Sequence, residues 1–239
     1  MKNLILIFAI IMMTACSGNE PIEQKDNLDK SPIEDKVKKM NADEIAAIEE
    51  DDQRKDEQIV IDVRTPGEYF SGHLKHAINI PLQDIERDVS VISDLKDDKL
   101  VLYCNTGNRS SKAADILKAE GFKDIIEAPG VKQVKYELYK YNNIMAKDLL
   151  EANREHDIFL IDARRAEDFK EGHLKDAINI IPEDLENNLE LIPKDRDIYA
   201  YCYTGSLSSQ IMERLSEMGY DRLYNCIEGT DEYEYEFEK

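Results

Sequence analysis

"IVIDVRTPGEYFSGHLKHAINIP" occupies residues 59–81, and "FLIDARRAEDFKEGHLKDAINIIP" occupies residues 159–182. Asp62 matches Asp162, Arg64 matches Arg164, Gly72 matches Gly172, His73 matches His173 and Asn79 matches Asn179, each pair 100 residues apart. Further along, Cys104 matches Cys202, and "EGFKDII" at 120–126 matches "MGYDRLY" at 218–224. A period of this length marks duplicated domains rather than a solenoid. Within each copy a short apolar run ends at an Asp, as a buried strand would. "GEYFSGHL" reads as a helical turn and "AINIP" as a short strand stopped by Pro. "KLVLYC" and "DIYAYC" are β-rich runs ending at cysteine, "SSKAADILKAEG" and "SLSSQIMERLSEMG" are amphipathic helices closed by Gly, and "DIIEA" and "RLYNC" are final strands. Strands alternating with helices predict an α/β fold with a small parallel sheet flanked by helices in each copy. The expected domains span residues 39–143 and 144–239.

The first 15 residues read as a processing segment. Lys2 precedes the apolar run "LILIFAIIMM", which is too short to span a bilayer as a mature helix. "MTAC" then resembles the lipobox of bacterial lipoproteins, with Met13 where that motif usually has Leu. The resemblance implies cleavage before Cys16, acylation of Cys16, and an extracytoplasmic protein held to a membrane of the bacterial cell envelope by that anchor; a plain secretory signal is the alternative. Residues 16–38 are then the lipidated Cys and a polar, Pro-containing linker. The chain carries 51 acidic and 31 basic residues, a formal charge of −20. That balance argues against nucleic acid as a partner and against electrostatic docking on anionic lipid.

Outside the carboxyl ends of a parallel sheet's strands is where reactive groups sit, and Cys104 falls there. After it come Asn105, Thr106, Gly107, Asn108 and Arg109, and Ser110 opens a helix. Backbone N–H groups in such a turn, a helix N-terminus and an arginine together hold an anion and lower a thiol pKa. An activated sulfur nucleophile is the expected result; an ordinary buried core thiol is the alternative. The chain has no CxxC pair and no His-x-x-x-His spacing, so no metal site is expected.

Strand–Cys–x–x–Gly–x–Arg–Ser–helix, preceded by "DVR", "GEYFSGHL" and "AINIP", resembles the rhodanese family of sulfurtransferases, over residues 39–239. The resemblance implies an enzyme without cofactor or metal that moves a sulfane sulfur from a donor such as thiosulfate, or a protein persulfide, through a Cys104 persulfide to cyanide or a thiol. Residues 105–110 would bind the donor, while Asp62 and Arg64 would brace the loop from behind. Related phosphatases and arsenate reductases place five residues between Cys and Arg; the four here make a smaller ring, better fitted to a terminal sulfur. A non-catalytic sulfur carrier or thiol-redox module is the competing reading.

The second copy departs from the pattern. Its loop is "CYTGSLS", with Leu207 where the first copy has Arg109. Losing a charge-assisted contact costs about 1.5–3 kcal/mol, so anion binding at Cys202 should be roughly ten- to a hundredfold weaker. Catalysis is therefore expected in the first copy. Cys226 ends the last strand of the second, and Cys202 with Cys226 is a possible secondary thiol site. The family's strand order puts the two at adjacent strand ends, which leaves open a reversible disulfide. Relatives often end in Gly-Gly-x-x-x-Trp; this chain has no Trp, and Tyr233 is the expected aromatic substitute in the second copy. The tail "DEYEYEFEK" reads as a solvated end segment.

Overall fold

The computed structural model describes residues 37–238; the expected signal segment and Cys16 lie outside the described residues. Each repeat forms a five-stranded, wholly parallel sheet. In the first repeat β1 (Lys38–Lys39), β2 (Ile59–Asp62), β3 (Ile78–Asn79), β4 (Lys99–Tyr103) and β5 (Asp124–Glu127) take the order β1-β5-β4-β2-β3. In the second, β6 (Asn142–Ile144), β7 (Phe159–Asp162), β8 (Ile178–Asn179), β9 (Ile198–Tyr201) and β10 (Leu223–Cys226) take the order β6-β10-β9-β7-β8. The helices are α1 (Ala42–Glu50), α2 (Asp52–Asp56), α3 (Pro66–Phe70), α4 (Leu82–Arg87) and α5 (Asn108–Ala119), then α6 (Ala146–Glu155), α7 (Ala166–Glu171) and α8 (Ser206–Glu217).

The edge strands β1 and β6 carry no apolar alternation and are invisible in the sequence. Lys38, expected in the linker, pairs with Ile126, and β6 lies across the expected boundary at 143/144. Both are two- or three-residue strands recruited by a neighbour's free edge, so pairing and not propensity makes them strands.

Period-2 alternation builds the core on both faces of the central strand. Leu100, Leu102 and Cys104 point to the face covered by α5, where they meet Ala113, Ala114 and Leu117. Val101 and Tyr103 point to the other face, beneath Ile45 and Ile48 of α1. That parity puts the sulfur on the side where α5 begins.

At the strand ends, Arg64 donates through Nε and Nη2 to the Asp62 carboxylate at 2.6–3.0 Å and through Nη2 to the Gly72 carbonyl at 2.7 Å. Arg164 repeats this on Asp162 and Gly172. Both pairs are buried. Asp62→Ala would strand a buried guanidinium and is expected to cost about 3–5 kcal/mol. Urea unfolding checks this: a loss under ~1 kcal/mol would refute the role, and replacing Arg64 as well should recover part of it.

The repeats dock on one another. Asn143 donates to the carbonyls of Lys75 and Ala77, and Ile227 enters the hydrophobic cluster of the first repeat.

Candidate active site

Tyr103 is the last residue of β4, and Cys104 begins the loop that leads into α5. Gly107, in the left-handed region at φ 87°, turns the chain so that α5 starts at Asn108. The loop is held from outside by the segment after β5: Val131 N–H donates to the Cys104 carbonyl and Lys132 N–H to the Asn105 carbonyl, both at 3.0 Å. Gly130 lies flat against it, so close that a Cβ there would sit 2.2 Å from the Asn105 carbonyl oxygen.

Cys104 Sγ lies 3.7 Å from Ser110 Oγ, which donates to the Gly107 carbonyl at 3.0 Å. Burial alone would push the thiol pKa up. The backbone N–H groups of Ser110, Thr106 and Arg109, with the Ser110 hydroxyl, outweigh burial and bring it below its ordinary value. Amides at a helix start form an anion cradle, which favours the thiolate form of the sulfur. The rate of Cys104 alkylation by iodoacetamide should therefore rise with a midpoint below that of an ordinary cysteine; a midpoint at or above the ordinary value would contradict the cradle.

Sequence reasoning gave Glu68 no role, yet it is the residue that closes this site. It accepts from Arg109 Nη1 on Oε2 at 2.6 Å and from Arg109 Nη2 on Oε1 at 2.9 Å, and Asn105 Nδ2 donates to Oε1 at 2.6 Å. The same carboxylate completes the capping box of α3, accepting from Thr65 N and Oγ1. The Arg109 guanidinium, first among the causes, holds Glu68 far below the usual carboxylate range. Its repeated partner, Asp168, was the available signal: an acid recurs 100 residues on. Thr106 and Asn108 stand exposed at the rim.

Asp62 and Arg64 make no direct hydrogen bond to residues 104–110. Their brace runs instead to Gly72 and to the strand ends, because the Arg64 side chain turns back over β2 toward Tyr103.

In the second repeat, Ser208 Oγ sits 3.5 Å from Cys202 Sγ and also donates to Asn225 Oδ1 at 2.6 Å. Leu207 packs against the hydrophobic cluster, and Tyr203 takes the place of Asn105, donating its hydroxyl to Asp168. The acid is retained and the cation is gone. From the first repeat, buried Lys55 reaches over: its Nζ donates to the carbonyls of Thr204 at 2.9 Å and Ile227 at 2.6 Å and to the Glu232 carboxylate at 2.7 Å. The backbone of this loop is thus tied into the contact between repeats.

Cys202 and Cys226 are free thiols and form no disulfide. Strand alternation explains it: Cys202 belongs to the cluster on the α8 face, Cys226 to the cluster on the α6 face. Burial pushes the Cys226 thiol up to about 12, and its sulfur lies 3.2 Å from both the Glu228 carbonyl and the Tyr235 hydroxyl. The tail is no solvated segment either. Glu238 pairs with His173 in an antiparallel bridge, Tyr235 stacks on Tyr201, and Phe237 lies over Arg164 at 4.5 Å. Tyr235 packs on Tyr201, while Tyr233, the expected aromatic substitute, is turned outward. Tyr139 pairs with His73 in the same way in the first repeat.

The family model for the rhodanese-like domain matches this chain twice, over residues 41–130 and 145–236. The chain belongs to the rhodanese-like family. Similarity to individual rhodanese-like proteins is local. Thiosulfate sulfurtransferase PspE of Escherichia coli (strain K12) is 36% identical over 74 residues, 31% of this chain and 71% of that protein. The putative sulfur carrier protein YrkF of Bacillus subtilis (strain 168) is 33% identical over 74 residues, 30% of this chain and 39% of that protein. Among solved structures, a rhodanese with anions from E. coli is 34% identical and covers 35% of this chain and 98% of its own, with a TM-score of 0.31. This tandem rhodanese-like protein therefore has distant relatives that are thiosulfate sulfurtransferases. Among the described residues no cluster of three or more His, Cys, Asp and Glu side chains is arranged for a metal, and no helix is long and apolar enough to cross a membrane.

Proposed function

We propose that this protein is a sulfurtransferase working through Cys104 in its first repeat. The carrying observation is the place of Cys104, between the end of β4 and the start of α5, with its sulfur 3.7 Å from Ser110 Oγ. In the first half-reaction the Cys104 thiolate attacks the sulfane sulfur of a donor such as thiosulfate. The donor's S–S bond breaks, sulfite leaves with the bonding pair, and the new S–S bond makes Cys104 a persulfide. In the second, cyanide or a thiolate attacks the outer sulfur and Cys104 departs as thiolate. The cradle stabilises the anion on Cys104 at both ends of the cycle, which needs no cofactor. The second repeat, without a cation in its loop, serves as a structural partner. The chain works outside the cytoplasm, tethered by acylated Cys16.

Thiosulfate:cyanide transfer by the full chain tests this. Double-displacement kinetics and a Cys104 that gains one sulfur atom from donor alone are expected; absence of both would refute it. A second reading, a sulfur carrier without turnover, is favoured by the pairing of Arg109 with Glu68, which leaves no unpaired cation in the loop to recruit an anionic donor. One loading per Cys104 and no cycling would select it.

A further inference from the structure

We propose that Glu68 sets the donor class of this site, screening Arg109 so that Cys104 takes sulfur from small organic persulfides whose carrier bears no negative charge in preference to thiosulfate. The proposal rests on the Cys104 sulfur-transfer reading above and refines its substrate.

Arg109 is the one cation among residues 104–110, and both its Nη atoms are engaged by the two oxygens of one carboxylate. A bidentate pair of this kind is the strong form of the interaction. Asn105, another polar side chain of the loop, is engaged by the same carboxylate. An entering thiosulfate would set its sulfonate against a carboxylate already in possession of both groups, in a chain whose formal charge is −20. Glu68 cannot swing aside freely, because Thr65 N and Oγ1 also hold it. The amide cradle is untouched by this arrangement: it faces the sulfur, and Glu68 faces the rim. The site thus keeps its power to stabilise a sulfur anion, while the cation of the loop itself is already paired. The second repeat follows the same logic, holding Asp168 on Tyr203 where no arginine remains.

The favoured donor is R–S–SH. The Cys104 thiolate attacks the outer sulfur, the R–S bond to that sulfur breaks, R–S⁻ leaves with the electron pair and takes a proton from water, and Cys104–S–SH remains. One S–S bond forms, one breaks, and no external oxidant is needed.

Glu68→Gln tests this: it removes the charge, and its one oxygen can stay on Thr65 and Arg109 Nη1 as a capping-box residue, while its amide nitrogen gives up the contacts of Oε1. The full chain and the variant are compared with thiosulfate and with 2-hydroxyethyl persulfide as donors to the same thiol acceptor. Removing one negative charge beside an incoming dianion should raise kcat/KM for thiosulfate, and its ratio to the value for the persulfide about tenfold. An unchanged or lower thiosulfate value, or an equal rise with both donors, overturns the proposal. A readout independent of turnover is alkylation of Cys104 by iodoacetate against iodoacetamide, followed by peptide mass spectrometry. The ratio of rates should rise by a similar factor in Glu68→Gln; a constant ratio, or a Cys104 that neither reagent reaches, overturns it. Failure of the wild-type chain to transfer from either donor would instead refute the sulfurtransferase reading, and the alkylation ratio would still report on Glu68.

Discussion

Cys104→Ser is expected to lower sulfur transfer by roughly a thousandfold or more, while Cys202→Ser leaves it within about twofold. The asymmetry follows from the two loops. Both present a buried sulfur, with a serine hydroxyl within 3.7 Å in the first and 3.5 Å in the second. The first adds Arg109 at the rim; the second puts Leu207 into the hydrophobic cluster and has Lys55 fastened to its backbone. A serine oxygen in place of Cys104 fits the cavity but cannot carry a sulfane sulfur, so the effect should be on turnover with little change in stability. Thiosulfate:cyanide assays of the two variants, with urea unfolding alongside, check this. Equal losses in both variants would mean that the second loop works too, and no loss in Cys104→Ser would remove Cys104 from the mechanism.

Gly130→Ala should damage the site although no residue of the loop is substituted. The added methyl would meet the Asn105 carbonyl oxygen at 2.2 Å, its carbon at 2.3 Å and Thr106 N at 2.6 Å. All three are backbone atoms, so no side chain can yield. Either the loop or the segment carrying Val131 and Lys132 has to move, and the hydrogen bonds from those two residues to Cys104 and Asn105 go with it. Overpacking of this kind costs about 1–3 kcal/mol, and a displaced cradle should also return the Cys104 thiol toward its ordinary pKa. Gly67→Ala is the matched control: nothing lies within 4 Å of its would-be Cβ, so stability should change by less than ~1 kcal/mol. A Gly130→Ala protein as stable and as reactive as Gly67→Ala would mean that the loop is not wedged by its neighbour.

Much of the fold and the centre of the site were legible in the residues alone. The repeat, the strands ending at cysteine and the helix opening at Ser110 are local patterns, and local patterns set local structure. The loop "CNTGNRS" could be read as an anion cradle because a turn glycine, a helix start and an arginine act over a few residues. The family follows from the order of such motifs, as the twofold match to the rhodanese-like domain bears out.

What needed tertiary structure was every feature made by residues distant in the chain. Glu68 lies 41 residues from Arg109, and nothing in "GEYF" says that its acid faces the cradle. Lys55 lies 149 residues from Thr204. The tail "DEYEYEFEK" is polar by composition, and only the Tyr201 ring and the Gly172 backbone, distant in sequence, give its aromatic residues somewhere to dock. Cys202 and Cys226 are close in strand order yet separated by the sheet itself, because side chains alternate faces and these two fall on opposite ones. Sequence by itself determined the architecture, the cysteine placed between a strand end and a helix start, and the loss of the second cation. The folded chain decided which charges meet, since an ion pair depends on distance in space, and distance along the chain does not constrain it.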